Sequence, residues 1–98
     1  MQYTITTQGN STPSEHTGNS VSGSIQVTGV MSTGTGSAVV TVYVSNDRVN
    51  WIALGTVTLS LSTTPATDGF AVSARWNYVK STATTLTANG SVDITTSY

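Results

Sequence analysis

Apolar side chains recur at every second position along most of this chain and nowhere at helical spacing. In Ser37–Ser45, Ala38, Val40, Val42 and Val44 fall on one face while Val39, Thr41 and Tyr43 fall on the other. That predicts a strand buried on one side and partly covered on the second. Val57, Leu59 and Leu61 alternate with Thr56, Thr58 and Ser60, the pattern of a sheet wetted on one face. Phe70, Val72 and Ala74 repeat it against Ala71 and Ser73, and a short strand is expected to open at Trp51 and run to Leu54. Weaker alternations mark Tyr3–Thr7, then Ile25, Val27 and Gly29, then Trp76–Lys80, then Val92, Ile94 and Thr96. No window of a dozen residues sets apolar side chains at i, i+3, i+4 and i+7 without Gly or a β-branched run intervening.

Turn signals punctuate these runs: Gly18-Asn19, Ser32–Gly36, Asn46–Asn50, Pro65–Gly69 and Asn89-Gly90. Each is rich in residues that tolerate φ > 0 or bond their own backbone. Spacings of about eight to twelve residues between turns predict an all-β fold, an antiparallel β-sandwich of seven to eight short strands. Local pattern does not encode which strand pairs with which, so jelly-roll and immunoglobulin-like connectivities both stay open. Asn89-Gly90, between Thr84–Thr87 and Ser91–Thr95, predicts a two-residue hairpin of type I′, which needs φ > 0 at both central residues. Residues 8–20 lack alternation and consist mainly of Gly, Asn, Ser, Thr and Pro; they read as a long polar loop or arm after a first short strand.

Composition narrows the class. The 98 residues make one domain, 1–98. Ser and Thr together number 34, but Asp, Glu, Lys and Arg only seven, against ~25% charged in an ordinary domain. Disorder pairs low hydrophobicity with high net charge, and this chain has a net charge of −1 and a mean hydropathy of +0.02. Its 36 Thr, Val and Ile favour β-structure instead. Met1–Gln8 carries no basic region or apolar core, and no run approaches 18 apolar residues, so neither a secretory signal nor a membrane partner is expected. The expectation is a chain made in the cytoplasm that stays there or leaves by lysis, which suits the absence of Cys. In that compartment the sequons Asn10-Ser11-Thr12 and Asn89-Gly90-Ser91 are accidents of composition.

Little in the sequence carries chemistry. His16 lies beside Glu15 in the polar loop, with no nucleophile elbow elsewhere to complete a triad. The acids Glu15, Asp47, Asp68 and Asp93 are scattered one to a loop or strand, and Asp47 and Asp68 suit turns. No EF-hand, P-loop or zinc spacing occurs. The reading is therefore no catalytic residue, no metal and no cofactor. Nucleic acid needs clustered cations, and Arg48, Arg75 and Lys80 are all there are. Gly34 and Gly36 precede a Val-rich strand rather than a phosphate-binding helix. Trp51 and Trp76 have two readings. Either they fill the core with their indole N–H bonded to a loop carbonyl, or they form an exposed platform that stacks on sugar.

One segment is more specific. Val42-Tyr43-Val44-Ser45-Asn46-Asp47-Arg48-Val49-Asn50-Trp51, continuing Ile52-Ala53-Leu54-Gly55, resembles the SND-G-x-NW-x-x-LG hairpin of small β-sandwich proteins in tailed-bacteriophage virions and of related discoidin-like modules. Arg75-Trp76-Asn77-Tyr78-Val79-Lys80 resembles the W-x-Y-V-[RK] strand that follows in those phage proteins. The likeness spans Ala38–Tyr98, and Arg48 stands where the pattern has Gly. It implies that Asn46, Asp47 and Asn50 close the turn with Trp51 packed beneath. Trp76 and Tyr78 are read as structural from their alternation along the chain.

The resemblance implies a virion structural protein, of which a capsid decoration (cement) protein is the form expected. Such a protein oligomerises, contacts the major capsid protein and stabilises the shell by binding only its assembled state. The sparse charge leans the same way, since few charges keep copies apart or guard sheet edges. Gly9, Asn10, Pro13, Glu15 and His16, in the polar arm, are the expected contacts to a neighbour. The alternative is a carbohydrate-binding module of a phage tail fibre or spike, with a glycan on Trp51, Trp76 or Tyr78. That reading requires an exposed aromatic platform, whereas the cement reading requires buried tryptophans and broad contacts between copies.

Overall fold

The computed structural model describes residues 2–16, 23–72 and 76–97. These form eight strands and no helix: β1 (Gln2–Ile5), β2 (Glu15–His16), β3 (Gly23–Met31), β4 (Gly36–Ser45), β5 (Ile52–Leu61), β6 (Ala66–Val72), β7 (Tyr78–Leu86) and β8 (Gly90–Ser97). They build two antiparallel four-stranded sheets, β1-β8-β3-β6 and β2-β7-β4-β5.

The pairing identifies the connectivity. β1 pairs with β8, β2 with β7, β3 with β6 and β4 with β5, as in one long hairpin rolled up on itself. The β3·β8 and β4·β7 pairs then complete the sheets. That is a jelly roll of eight strands. An immunoglobulin sandwich, with strands one, two, five and four in one sheet, is excluded. Only the β4–β5 link stays within a sheet; every other link crosses between sheets.

The alternation on β4 and β5 is what drives the two sheets together. Val40, Val42 and Val44 from β4 and Val57, Leu59 and Leu61 from β5 meet Ile25, Val27, Val92 and Ile94 from the other sheet in one buried cluster. Thr and Ser occupy most of the outward positions. On the first sheet they bond across strands, Thr4 Oγ1 donating to Asp93 at 2.6 Å and Thr28 and Thr67 sharing a hydroxyl contact at 3.0 Å. The room between sheets is tight at Gly29, where a Cβ would press on Leu61 and Leu59.

Three local expectations are corrected. Asn89-Gly90 is not a type I′ hairpin, because only Asn89 has positive φ (71°) and the turn carries the chain from β7 in one sheet to β8 in the other. With Ala88 ordinary, Asn89 left-handed and Gly90 N–H donating to Thr87 O at 3.0 Å, it follows the type II pattern. Pro65–Gly69 is not a turn, since β6 already begins at Ala66. Asp68 bonds the N–H of Gly69 at 2.8 Å within that edge strand. Trp51 and Trp76 each precede their strand rather than belong to it. The strand expected through Ser73 and Ala74 and the turn at Gly18-Asn19 lie outside the described residues.

Candidate functional site

The β4–β5 hairpin tip, Asn46–Trp51, is built around two short side chains. Ser45 Oγ accepts the N–H groups of Asp47 (3.1 Å) and Arg48 (3.0 Å) and donates to Asp47 Oδ1 (2.9 Å). Asp47 Oδ1 also accepts the N–H groups of Val49 (2.9 Å) and Asn50 (2.8 Å), and its Oδ2 accepts from Asn50 Nδ2 at 3.0 Å. Backbone donors of Asn50 and Val49, then the side chains of Asn50 and Ser45, hold the Asp47 carboxyl well below the usual carboxylate range. Asp47 and Asn50 thus close the turn. Asn46 faces away from it and receives Asn77 N–H at 3.2 Å, tying the tip to the start of β7.

Closing the turn this way forces Arg48 into the left-handed region, with φ of 63°. Gly would adopt that conformation without strain, and Gly is the residue the hairpin pattern has there. Arg48 instead carries its guanidinium over the Tyr78 ring, 5.3 Å from the centroid, and donates to Ser14 Oγ at 3.1 Å. Beside it, Lys80 Nζ lies 4.4 Å from the centroid of the Trp51 ring. Both distances are within cation–π range. Two of the three cations of the chain therefore sit on this one end of the molecule, each on an aromatic ring; the third, Arg75, lies outside the described residues. Val49 (77% exposed) and Ile52 (53% exposed) form an apolar tip next to them.

The expected site residues separate into three places. Trp76 packs against the core. Trp51 does not: it is half-buried on the outer side, under Lys80, and the core expectation for it is corrected accordingly. Tyr78 is half-buried beneath Arg48. The arm is corrected as well. Gly9 N–H donates to Ala83 O (2.8 Å), Ala83 N–H to Asn10 O (3.0 Å) and Thr12 N–H to Ser81 O (2.8 Å). Thr12 Oγ1 accepts Ser81 N–H at 3.0 Å and Gln8 Oε1 accepts Leu86 N–H at 3.2 Å. Pro13 is exposed, and Glu15 and His16 stand opposite Val79 and Tyr78 in register. Residues 8–16 are thus a strap along the β7 edge, held there because that edge needs partners for its backbone groups. The rest of the expected arm, 17–20, lies outside the described residues.

Sequence reasoning missed Arg48, Lys80, Val49 and Ile52 as parts of one surface. Its one available signal was Arg48 at a Gly position. Among the described residues, no three of His, Cys, Asp and Glu gather as metal ligands do, and no cavity opens. No protein family, curated protein or solved structure matches this chain.

Proposed function

We propose that this chain is a structural component of a tailed-phage virion, a decoration protein that self-associates on the head and bridges neighbouring major capsid subunits. A jelly roll by itself does not choose between readings, since capsid and lectin domains share it. The observation that carries the proposal is the state of the rings. A sugar platform needs an open aromatic face, but Trp76 packs on the core and Trp51 and Tyr78 each lie beneath a cation. Beside the exposed Arg48, this end presents two apolar side chains, Val49 on the turn locked by Asp47 and Ile52 at the start of β5, a pair that suits docking on protein.

Binding only to assembled shells stabilises them by about 2.7 kcal/mol per site at a free concentration of 100 Kd. The test is co-sedimentation with shells assembled from the cognate coat protein and with the same protein unassembled, followed by thermal melting of decorated and bare shells. Selective binding to shells and a raised melting temperature support the proposal. Removing Val49 and Ile52 from the contact, as Asp at both positions, is expected to weaken shell binding more than tenfold, since each aliphatic burial contributes about 1.5–3 kcal/mol. Equal affinity for shells and free subunits, or a glycan that shifts tryptophan emission, overturns the proposal.

A further inference from the structure

We propose that the edge of β5 is a homotypic contact, pairing antiparallel with β5 of a second copy across a two-fold axis at Thr58. The inference rests on the self-association proposed above and gives it a surface. An unpaired strand edge is a template for another chain, and proteins blunt such edges by shortness, charge, Pro or a cover. Three edges of this sandwich are blunted. β1 is four residues long. β6 follows Pro65 and carries Asp68, whose carboxylate bonds the N–H of Gly69. The β7 edge is covered by the strap 8–16, itself broken by Pro13.

β5 has only one such device. It is ten residues long, with no charge and no Pro. A register shift opposite Val42 and Tyr43 leaves Leu54 as the extra residue and bends the strand at that end. From Gly55 to Leu61 the strand is regular and pairs with β4 on one side only. Among the described residues, no backbone hydrogen bond from a loop or turn reaches it.

The stretch is complementary to itself. With Thr58 opposite its own copy, Thr56 meets Ser60 and Val57 meets Leu59, so hydroxyls face hydroxyls on the outer side and the apolar residues continue the inner face. Thr–Thr and Thr–Ser pairs across antiparallel strands are favourable, and no like charges meet. The two β2-β7-β4-β5 sheets then join into one sheet of eight strands. Such an interface is isologous and closes at two copies.

The test uses the intact chain, which contains no Cys. Opposed residues of an antiparallel pair have Cα atoms about 4.5–5.5 Å apart, within the reach of a disulfide at about 4.4–6.8 Å. Thr58→Cys is expected to form a covalent dimer under mild oxidation, and Thr95→Cys, exposed on the other sheet, is not. By light scattering the wild type is expected at twice the chain mass. Thr58→Lys, which sets two like charges together, is expected at one chain mass with a cooperative unfolding transition whose temperature no longer depends on protein concentration, while Thr95→Lys stays dimeric. A wild type that associates while Thr58→Lys associates equally and Thr58→Cys fails to cross-link refutes the β5 contact and leaves self-association standing. A wild type that is monomeric both free and on shells refutes both. Cross-linking of Thr58→Cys to a single Cys placed in a coat subunit, and not to itself, assigns the edge to a different partner and refutes the two-fold pairing.

Discussion

Arg48 holds a left-handed backbone for the sake of its side chain, and two substitutions separate these contributions. A φ of 63° costs a residue with a Cβ about 1–2 kcal/mol. Against that, the guanidinium over Tyr78 contributes about 0.5–1 kcal/mol at an exposed site. The bond to Ser14 Oγ adds about 0.5 kcal/mol, at the low end because water competes for both partners. Arg48→Ala removes both contacts and keeps the strain, so it is expected to lose about 1 kcal/mol. Arg48→Gly removes the same contacts and the strain together. After about 0.5–1 kcal/mol for the greater backbone entropy that Gly loses on folding, it is expected about 0.5–1 kcal/mol above Ala and close to wild type. In a domain of this size each kcal/mol moves Tm by about 4–8 °C. Thermal and urea unfolding of the three proteins, followed side by side by tryptophan fluorescence, reads the order. A glycine variant no more stable than the alanine variant refutes the argument, because the left-handed backbone then stores no strain for glycine to relieve.

Gly69→Ala is expected to destabilise by about 1–3 kcal/mol, because a Cβ there collides with the carbonyl oxygen of Ile25, a backbone atom that cannot swing aside. A melting temperature equal to wild type sinks that reading of the β3–β6 register. The Asp47 carboxyl has its folded pKa lowered by Asn50 and Val49 N–H donors. Its contribution is therefore complete above the unfolded value of about 3.9 and is lost as pH falls below it toward the folded value. Wild type is expected to lose Tm more steeply than Asp47→Asn between about pH 4 and pH 2, and parallel profiles contradict the hydrogen-bonded turn. Lys80→Ala uncovers the Trp51 ring and is expected to shift tryptophan emission to the red with a loss of about 0.5–1 kcal/mol; unchanged emission places the lysine elsewhere.

How much of this was legible in the sequence follows from what each kind of contact leaves in the residue pattern. Burial leaves a mark: Val40, Val42 and Val44 and Val57, Leu59 and Leu61 alternate because one face of each strand meets the core, so both strands are readable from residue order. Backbone pairing leaves none. Gly9, Asn10 and Thr12 bond Ala83 and Ser81 through main-chain groups that every residue but Pro carries, and a polar strap therefore looks the same as a free loop. Turn chemistry is ambiguous for the same reason. Asp68 bonds the next N–H as it would in a turn, but it does so on an edge strand whose outward N–H has no neighbour, and Asn89-Gly90 supplies one positive φ to a link between sheets rather than two to a hairpin. The surface at the hairpin tip depends on pairs about thirty residues apart, Arg48 with Tyr78 and Trp51 with Lys80, and these exist only once β4 and β7 are neighbours. The one position that broke its local rule was Arg48, and it lies at the centre of that surface. A residue that keeps a strained backbone where glycine would relax it points to a demand on its side chain. Here that demand is visible: the guanidinium joins the tip to the strap at Ser14 and to the first residue of β7.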